Sequence, residues 1–166
     1  KSFCKLYQKY DNMLRRQNQI DFDDMLVYTY ELLSQRKDIL RAWQNKFQYI
    51  LIDETQDMNQ LQYDIVKLLA APRNNLFMVG DDDQSIYRFR GAKPEIMLGF
   101  EKDYPGAKRI LLDTNYRSRK QIVESAIKVI DHNESRFAKQ IVSARPEGNP
   151  VITAVFDNQK EEYECM

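Results

Sequence analysis

Two carboxylates, Asp53 and Glu54, stand directly behind the apolar run Tyr49-Ile50-Leu51-Ile52. Ligands of open α/β sheets bind beyond the carboxyl ends of the strands, so a hydrophobic strand ending in two carboxylates puts both at the working edge. This is the Walker-B arrangement. An Asp placed there can hold a magnesium ion, usually through water, and a Glu beside it can orient or deprotonate an attacking water. The same pair also fits an acidic loop that only caps the next helix.

A second group, Val79-Gly80-Asp81-Asp82-Asp83-Gln84-Ser85, follows the next apolar run, so two loops present carboxylates and amides toward one crevice. The Gln84 amide can donate to one oxygen and accept from another, which suits it to a phosphate or a water. A simple Gly-Asp turn is the alternative, and three successive Asp also allow a divalent-metal site without nucleotide. The third group is Ser85-Ile86-Tyr87-Arg88-Phe89-Arg90-Gly91. Alternating aromatic and guanidinium groups supply faces for stacking bases and charges for phosphates, although a half-buried hairpin-like segment with its Arg side chains in water gives the same pattern. Fourth comes Asn115-Tyr116-Arg117-Ser118, where an aromatic beside an Arg at a strand-to-helix turn can stack a base and clamp a phosphate, or merely begin a helix.

The elements that must position these groups follow from hydrophobic periodicity. Phe3, Leu6, Tyr7, Tyr10, Met13 and Leu14 form one face of an amphipathic helix with no visible cap at its start. Asp21 or Asp23 can cap a second helix carrying Met25, Leu26, Leu32 and Leu33, and a third short pattern surrounds Ile39 to Trp43. Phe47 to Ile52 reads as a strand of a parallel sheet covered on both faces. Leu61, Ile65, Leu68 and Leu69 mark the next helix, Leu76 to Val79 a second strand, and Pro94 to Phe100 a short helical piece. After the Tyr104-Pro105-Gly106 turn, a third strand is expected at Ile110 to Leu112, then a helix through Ile122 to Ile130, and a fourth strand at Val151 to Phe156. Strands alternating with helices indicate an α/β fold with a parallel sheet.

Composition narrows the chemistry further. The 166 residues carry 25 Lys+Arg and 25 Asp+Glu, with only 5 Gly and 5 Pro, which excludes collagen-like, low-complexity and disordered classes. Residues 51 to 83 hold seven acidic and two basic groups, and residues 84 to 120 hold nine basic and four acidic. A lone histidine, His132, leaves no His-based metal site and no Ser-His or Cys-His pair. Cys4 and Cys165 lie at opposite ends without a CxxC pattern, as expected of two free thiols in a reducing cytoplasm. The apolar runs are of strand length, well below the roughly 20 residues of a membrane helix.

In order and spacing, Asp21-Phe22-Asp23-Asp24-Met25-Leu26, Ile52-Asp53-Glu54-Thr55-Gln56-Asp57, the GDxDQSIYRxRGA string from Gly80 to Ala92 and Asn115-Tyr116-Arg117-Ser118 closely resemble the UvrD/Rep/PcrA family of superfamily 1 DNA helicases. The resemblance covers nearly the whole chain. It implies two RecA-like domains of P-loop NTPase type that close on ATP and magnesium and reopen after hydrolysis, driving 3′ to 5′ translocation on single-stranded DNA and opening of duplex junctions. By the same resemblance, Asp53 would hold magnesium, Glu54 would act as catalytic base, and Gln84 would contact the γ-phosphate or its water. Tyr87, Phe89 and Arg90 would contact single-stranded DNA, Tyr116 would stack on adenine, and Arg117 would reach the γ-phosphate as an arginine finger. The segment from Asp21 to Leu26 would support these loops without chemistry. Phe89 stands where the family usually has Trp, which keeps a stacking face and loses the indole donor.

A P-loop needs GxxxxGK[ST], and none of Gly80, Gly91, Gly99, Gly106 and Gly148 is followed by Lys. The chain is therefore expected to be an internal fragment without ATPase activity of its own. It would comprise the end of an inserted helical subdomain at residues 1–20, the second half of a first RecA-like domain at 21–103, and the start of a second at 104–166. Two other classes remain at this point. One is a non-catalytic, degenerate motor segment that binds DNA or a protein partner, and the other is a magnesium-dependent nuclease built on Asp53, Glu54, Asp81 and Asp83.

Overall fold

The computed structural model describes residues 2–165 and divides the chain into two compact units, residues 1–107 and 108–166. Lys1 and Met166 lie outside the described residues.

The first unit opens with three helices, α1 (Ser2–Arg16), α2 (Phe22–Gln35) and α3 (Lys37–Lys46). The apolar stripe of α1 forms as its period predicts but stays in solvent, with Phe3 76% and Leu6 67% exposed. Asp21 caps α2: its Oδ1 accepts from the Asp24 N–H at 2.9 Å, and Asp24 Oδ2 accepts from the Asp21 N–H at 3.3 Å. Each bond satisfies an amide that the first helical turn leaves unpaired. The Asp24 amide holds the Asp21 carboxyl below the usual carboxylate range, and Tyr10, whose hydroxyl donates to Asp21 at 3.0 Å, also lowers it.

Strands β1 (Ile50–Ile52) and β2 (Leu76–Met78) pair in parallel, with Ile50 opposite Leu76 and Ile52 opposite Met78. Helix α4 (Gln60–Ala70) is the crossover between them and begins with a second reciprocal cap, Asn59 with Gln62. The sheet is covered on one side by described residues: Ile50, Ile52, Leu76 and Met78 pack on Met58, Tyr63, Val66 and Ile96. On the opposite side Leu51 is 71% and Phe77 55% exposed. An unbroken apolar run does not distinguish a strand packed on both faces from one packed on alternate residues.

Short helices α5 (Glu95–Leu98) and α6 (Phe100–Asp103) complete this core. Tyr63, 2% exposed, donates its hydroxyl to Asp103 Oδ2 at 2.8 Å, and burial followed by that carboxylate pushes its phenol well above the ordinary range. Replacing Tyr63 by Phe keeps the packed ring and removes one bond to a charged group. We expect a loss of about 1.5–3 kcal/mol in the denaturant-unfolding free energy, with an unchanged circular dichroism spectrum.

The second unit is a β-α-β arrangement. Strands β3 (Thr114–Arg119) and β4 (Val142–Arg145) are parallel, α7 (Lys120–Ile130) joins them with Val123 buried, and α8 (Gln159–Cys165) follows. Two expected strands are corrected. Residues 110–112 and 151–156 are not strands, and β4 forms where periodicity marks no element. A strand is made by a neighbour's amides rather than by apolar character alone. The Val142 N–H donates to Asp113 O at 2.8 Å, so the ladder starts just after the apolar triplet, whose Ile110 and Leu112 remain 77% and 80% exposed. His132 follows α7 in solvent, and Cys4 and Cys165 are exposed free thiols. No described helix is long and apolar enough to cross a membrane.

Candidate functional site

In the first unit the loops after β1 and β2 meet at the carboxyl edge of the sheet. The parallel pairing continues past the strands, with the Val79 N–H donating to Ile52 O at 2.8 Å and the Thr55 N–H to Val79 O at 2.9 Å. Asp53 and Glu54 emerge beside that junction, both exposed. Asp53 Oδ1 accepts from the Glu54 N–H at 2.9 Å. Glu54 occupies the left-handed region at φ 51°, ψ 42°, a conformation that costs a residue with a Cβ about 1–3 kcal/mol and persists only where its surroundings impose it.

Those surroundings are the 3₁₀ turn Thr55–Asp57, in which Thr55 and Gln56 are 0% and 2% exposed. The Gln56 side chain is bonded at both ends: Nε2 donates to Glu54 Oε2 at 2.7 Å, and Oε1 accepts from the Asp81 N–H at 3.0 Å. Ser85 Oγ donates to the Gln56 carbonyl at 3.3 Å. Asp81 in turn accepts from the Gln84 amide at 2.8 Å and from the Asp83 N–H at 3.2 Å. Gly80 makes room for this junction, because a Cβ there would lie 2.6 Å from Gln56 Oε1 and 3.1 Å from the Thr55 nitrogen. Within the Ile52–Asp57 motif, residue type alone assigns Gln56 no role, since an amide two residues after a carboxylate looks like any polar loop residue until its burial is known.

An open cleft of about 320 Å³ lies against this edge, lined by Ile52, Asp53, Glu54, Asp57, Met58 and Gln62. Three of those six side chains are carboxylates, hard oxygen donors of the kind magnesium takes. A larger cleft of about 570 Å³ lies within the second unit, lined by Asp131, Arg136 and Phe137 among others and by none of the motif residues. Among the described residues, the one cluster able to bring three acidic ligand atoms within 4.8 Å of one another is Asp81, Asp82 and Asp83. It does not include Asp53 or Glu54, and both oxygens of Asp81 already accept from protein donors, which counts against the four-carboxylate nuclease.

Tyr87, Phe89 and Arg90 form a small exposed platform rather than a hairpin. Arg88–Arg90 is a 3₁₀ turn closed by Gly91 at φ 88°, a value glycine adopts without cost. The Tyr87 and Phe89 rings are 6.0 Å apart and tilted by 52°, and the Arg90 guanidinium sits 5.1 Å from one and 5.4 Å from the other. Phe89 is 78% exposed, while an Arg88–Glu95 ion pair and buried Ala92 tie the turn down. The Lys93 N–H reaches Met58 O at 2.8 Å, joining this platform to the turn that follows Glu54.

In the second unit, Tyr116 and Arg117 lie inside β3, which corrects their expected place at a strand-to-helix turn. A turn is nevertheless present within the strand. Asn115 Oδ1 accepts from the N–H groups of Arg117 and Ser118 at 3.0 and 2.8 Å, and the pairing with β4 shifts register between Asn115 and Arg119. A short polar side chain that captures amides two and three residues on competes with the ladder and lifts the intervening residues out of it. Tyr116 is 74% exposed on this bulge, and its carbonyl accepts from Arg145 Nε at 2.9 Å.

Comparison with known proteins gives a consistent picture. The model of the UvrD/REP helicase N-terminal domain matches residues 1–105, and that of the UvrD-like helicase C-terminal domain matches residues 110–166. The chain is 48% identical to a putative ATP-dependent DNA helicase, YjcD, of Bacillus subtilis over 97% of its own length and 21% of the relative's. It is 44% identical to the ATP-dependent DNA helicase PcrA of Staphylococcus epidermidis over 95% of its length and 22% of the relative's, and 40% identical to the ATP-dependent DNA helicase Rep of Buchnera aphidicola over 99% and 25%. The chain thus spans between a fifth and a quarter of the length of these relatives. With both models matched in order along one chain, these 166 residues belong to the UvrD/REP helicase family.

Proposed function

We propose that this chain is the nucleotide-hydrolysing edge and DNA-contacting surface of an ATP-dependent DNA helicase that moves 3′ to 5′ on single-stranded DNA and opens duplex at junctions. One observation carries the reading. The two strand-end loops are wired together through Glu54, Gln56, Asp81 and Gln84, and the exposed aromatic platform is joined to the same turn through Lys93 and Met58. A change in loop position caused by nucleotide therefore has a covalent and hydrogen-bonded route to the surface that meets DNA.

In this reading Asp53 holds magnesium, which when bound neutralises charge on the β- and γ-phosphates. Glu54 takes the proton of the attacking water, Gln84 contacts the γ-phosphate or that water, Tyr116 stacks on adenine, and Arg117 supplies a guanidinium to the γ-phosphate. Residues 1–20 form the end of an inserted helical subdomain, residues 21–103 the second half of a first RecA-like domain, and residues 104–166 the start of a second.

The test is single-stranded-DNA-stimulated ATP hydrolysis and strand displacement by the full-length protein. A protein that binds DNA without hydrolysing ATP would overturn the proposal in favour of a non-catalytic segment. For the platform, replacing Phe89 by Ala removes one stacking face. We expect a loss of about 1–3 kcal/mol in single-stranded DNA affinity, measured by fluorescence anisotropy, with DNA-independent ATP binding unchanged.

A further inference from the structure

We infer that Gln56 is a positioning residue: its buried amide holds the Glu54 carboxylate in register with the Asp81–Gln84 loop, so that the base is placed only when that loop is. The inference rests on the proposed role of Glu54 as base and concerns what orients it.

Three observations carry it. First, the orientation of the amide is determined by its partners. One partner is a carboxylate, which only accepts, and the other is a backbone N–H, which only donates. A flipped amide would face acceptor with acceptor and donor with donor. Second, Gln56 is 2% exposed, so its amide is withdrawn from water and depends on these two protein partners. Glu54 itself is exposed at the end of a flexible side chain, and the Gln56 amide is what ties its Oε2 to the buried frame. Third, the space is reserved. Any side chain at position 80 would start 2.6 Å from Gln56 Oε1, so the glycine before Asp81 is where the amide must pass.

The chain of bonds then continues outward. The Asp81 N–H anchors Gln56, and the Asp81 carboxylate accepts from Gln84 Nε2 at 2.8 Å. Ser85 Oγ adds a second tie to the Gln56 carbonyl at 3.3 Å. A shift of the Asp81–Ser85 segment, such as Gln84 would undergo on exchanging Asp81 for a phosphate oxygen, moves the atom that holds Glu54. Hydrolysis is thereby made conditional on the state of the neighbouring loop.

Two variants of the full-length protein test this. Gln56→Met keeps side-chain length and removes both bonds; Gln56→Glu keeps an acceptor for the Asp81 N–H but replaces the donor to Glu54 by a carboxylate oxygen, which turns the 2.7 Å attraction into a like-charge contact. We expect either one to lower the DNA-stimulated kcat by about 10- to 100-fold, the usual cost of a misplaced catalytic group, with the KM for ATP within about twofold of wild type. In a Glu54→Gln background the same substitutions should produce no further loss, because a residue acting through Glu54 has nothing left to position. Retention of wild-type kcat by a folded Gln56→Glu or Gln56→Met protein overturns the inference, as does an additive loss in the double variant. Should Gln56→Met fail to fold, Gln56→Glu decides alone through the same two readouts. Wild-type turnover by Glu54→Gln would instead remove the underlying role of Glu54, a result distinct from either.

Discussion

Replacing Glu54 by Gln should reduce DNA-stimulated ATP turnover of the full-length protein by about 10²- to 10⁴-fold while leaving ATP binding intact. The substitution is isosteric, and Gln keeps an oxygen that can accept from Gln56 Nε2, so the 2.7 Å tie and the turn behind it can persist. The left-handed backbone at residue 54 asks no more of Gln than of Glu, because both carry the same unbranched Cβ. What disappears is the capacity to accept a proton from water at neutral pH. Steady-state kcat and the affinity of a fluorescent ATP analogue separate these contributions: a fall in kcat at constant affinity identifies a group used only in the transition state. If kcat stays within tenfold and affinity falls instead, Glu54 is a binding residue and the base lies elsewhere.

That such a test can be aimed at a single residue reflects what strand-end logic makes visible. An apolar run followed by acids announces a loop at a sheet edge, and β1 and β2 do end at Ile52 and Met78, one and three residues before the first of those acids. Helices were legible for the same reason of period: α2 starts at the Asp21 cap, and α4 carries the Leu61 to Leu69 stripe. Illegible were the properties that depend on a neighbour. Ile110 to Leu112 and Val151 to Phe156 have strand-like composition, yet the ladder forms at Thr114 and Val142, where backbone partners meet. Exposure is another such property, because the stripe of α1 has a perfect helical period and still faces water. Gln56 is the clearest case. Its residue type is ordinary, and its place between Glu54 and Asp81 arises from two loops that are 25 residues apart in the chain.

Arg117 carries the second large expectation, in which Ala at this position lowers kcat for ATP by about 10³-fold or more. The local structure supports a side chain presented for service outside the core. Both amides after Tyr116 are captured by Asn115 Oδ1, the register with β4 breaks around them, and Arg117 is exposed on the resulting bulge. The flanks of the bulge are held, since Ser143 Oγ donates to Ser118 O at 2.7 Å and Thr114 and Arg119 pair with β4, so truncating Arg117 beyond Cβ leaves the frame in place. A guanidinium meeting the γ-phosphate acts through a planar, two-pronged donor set and a charge that never titrates, and Lys reproduces only the charge. Arg117→Lys should therefore stay within about tenfold of the Ala variant, where a residue used simply for long-range attraction would recover most of its activity with Lys. Nucleotide affinity separates the remaining possibility. An arginine that works on the transition state leaves the ATP dissociation constant within a few-fold of wild type, whereas one that only anchors the ground-state phosphate raises it in proportion to the loss of kcat/KM. Unchanged ATPase with weakened binding of single-stranded DNA would move Arg117 to the DNA surface and leave Tyr116 as the nucleotide contact on this strand.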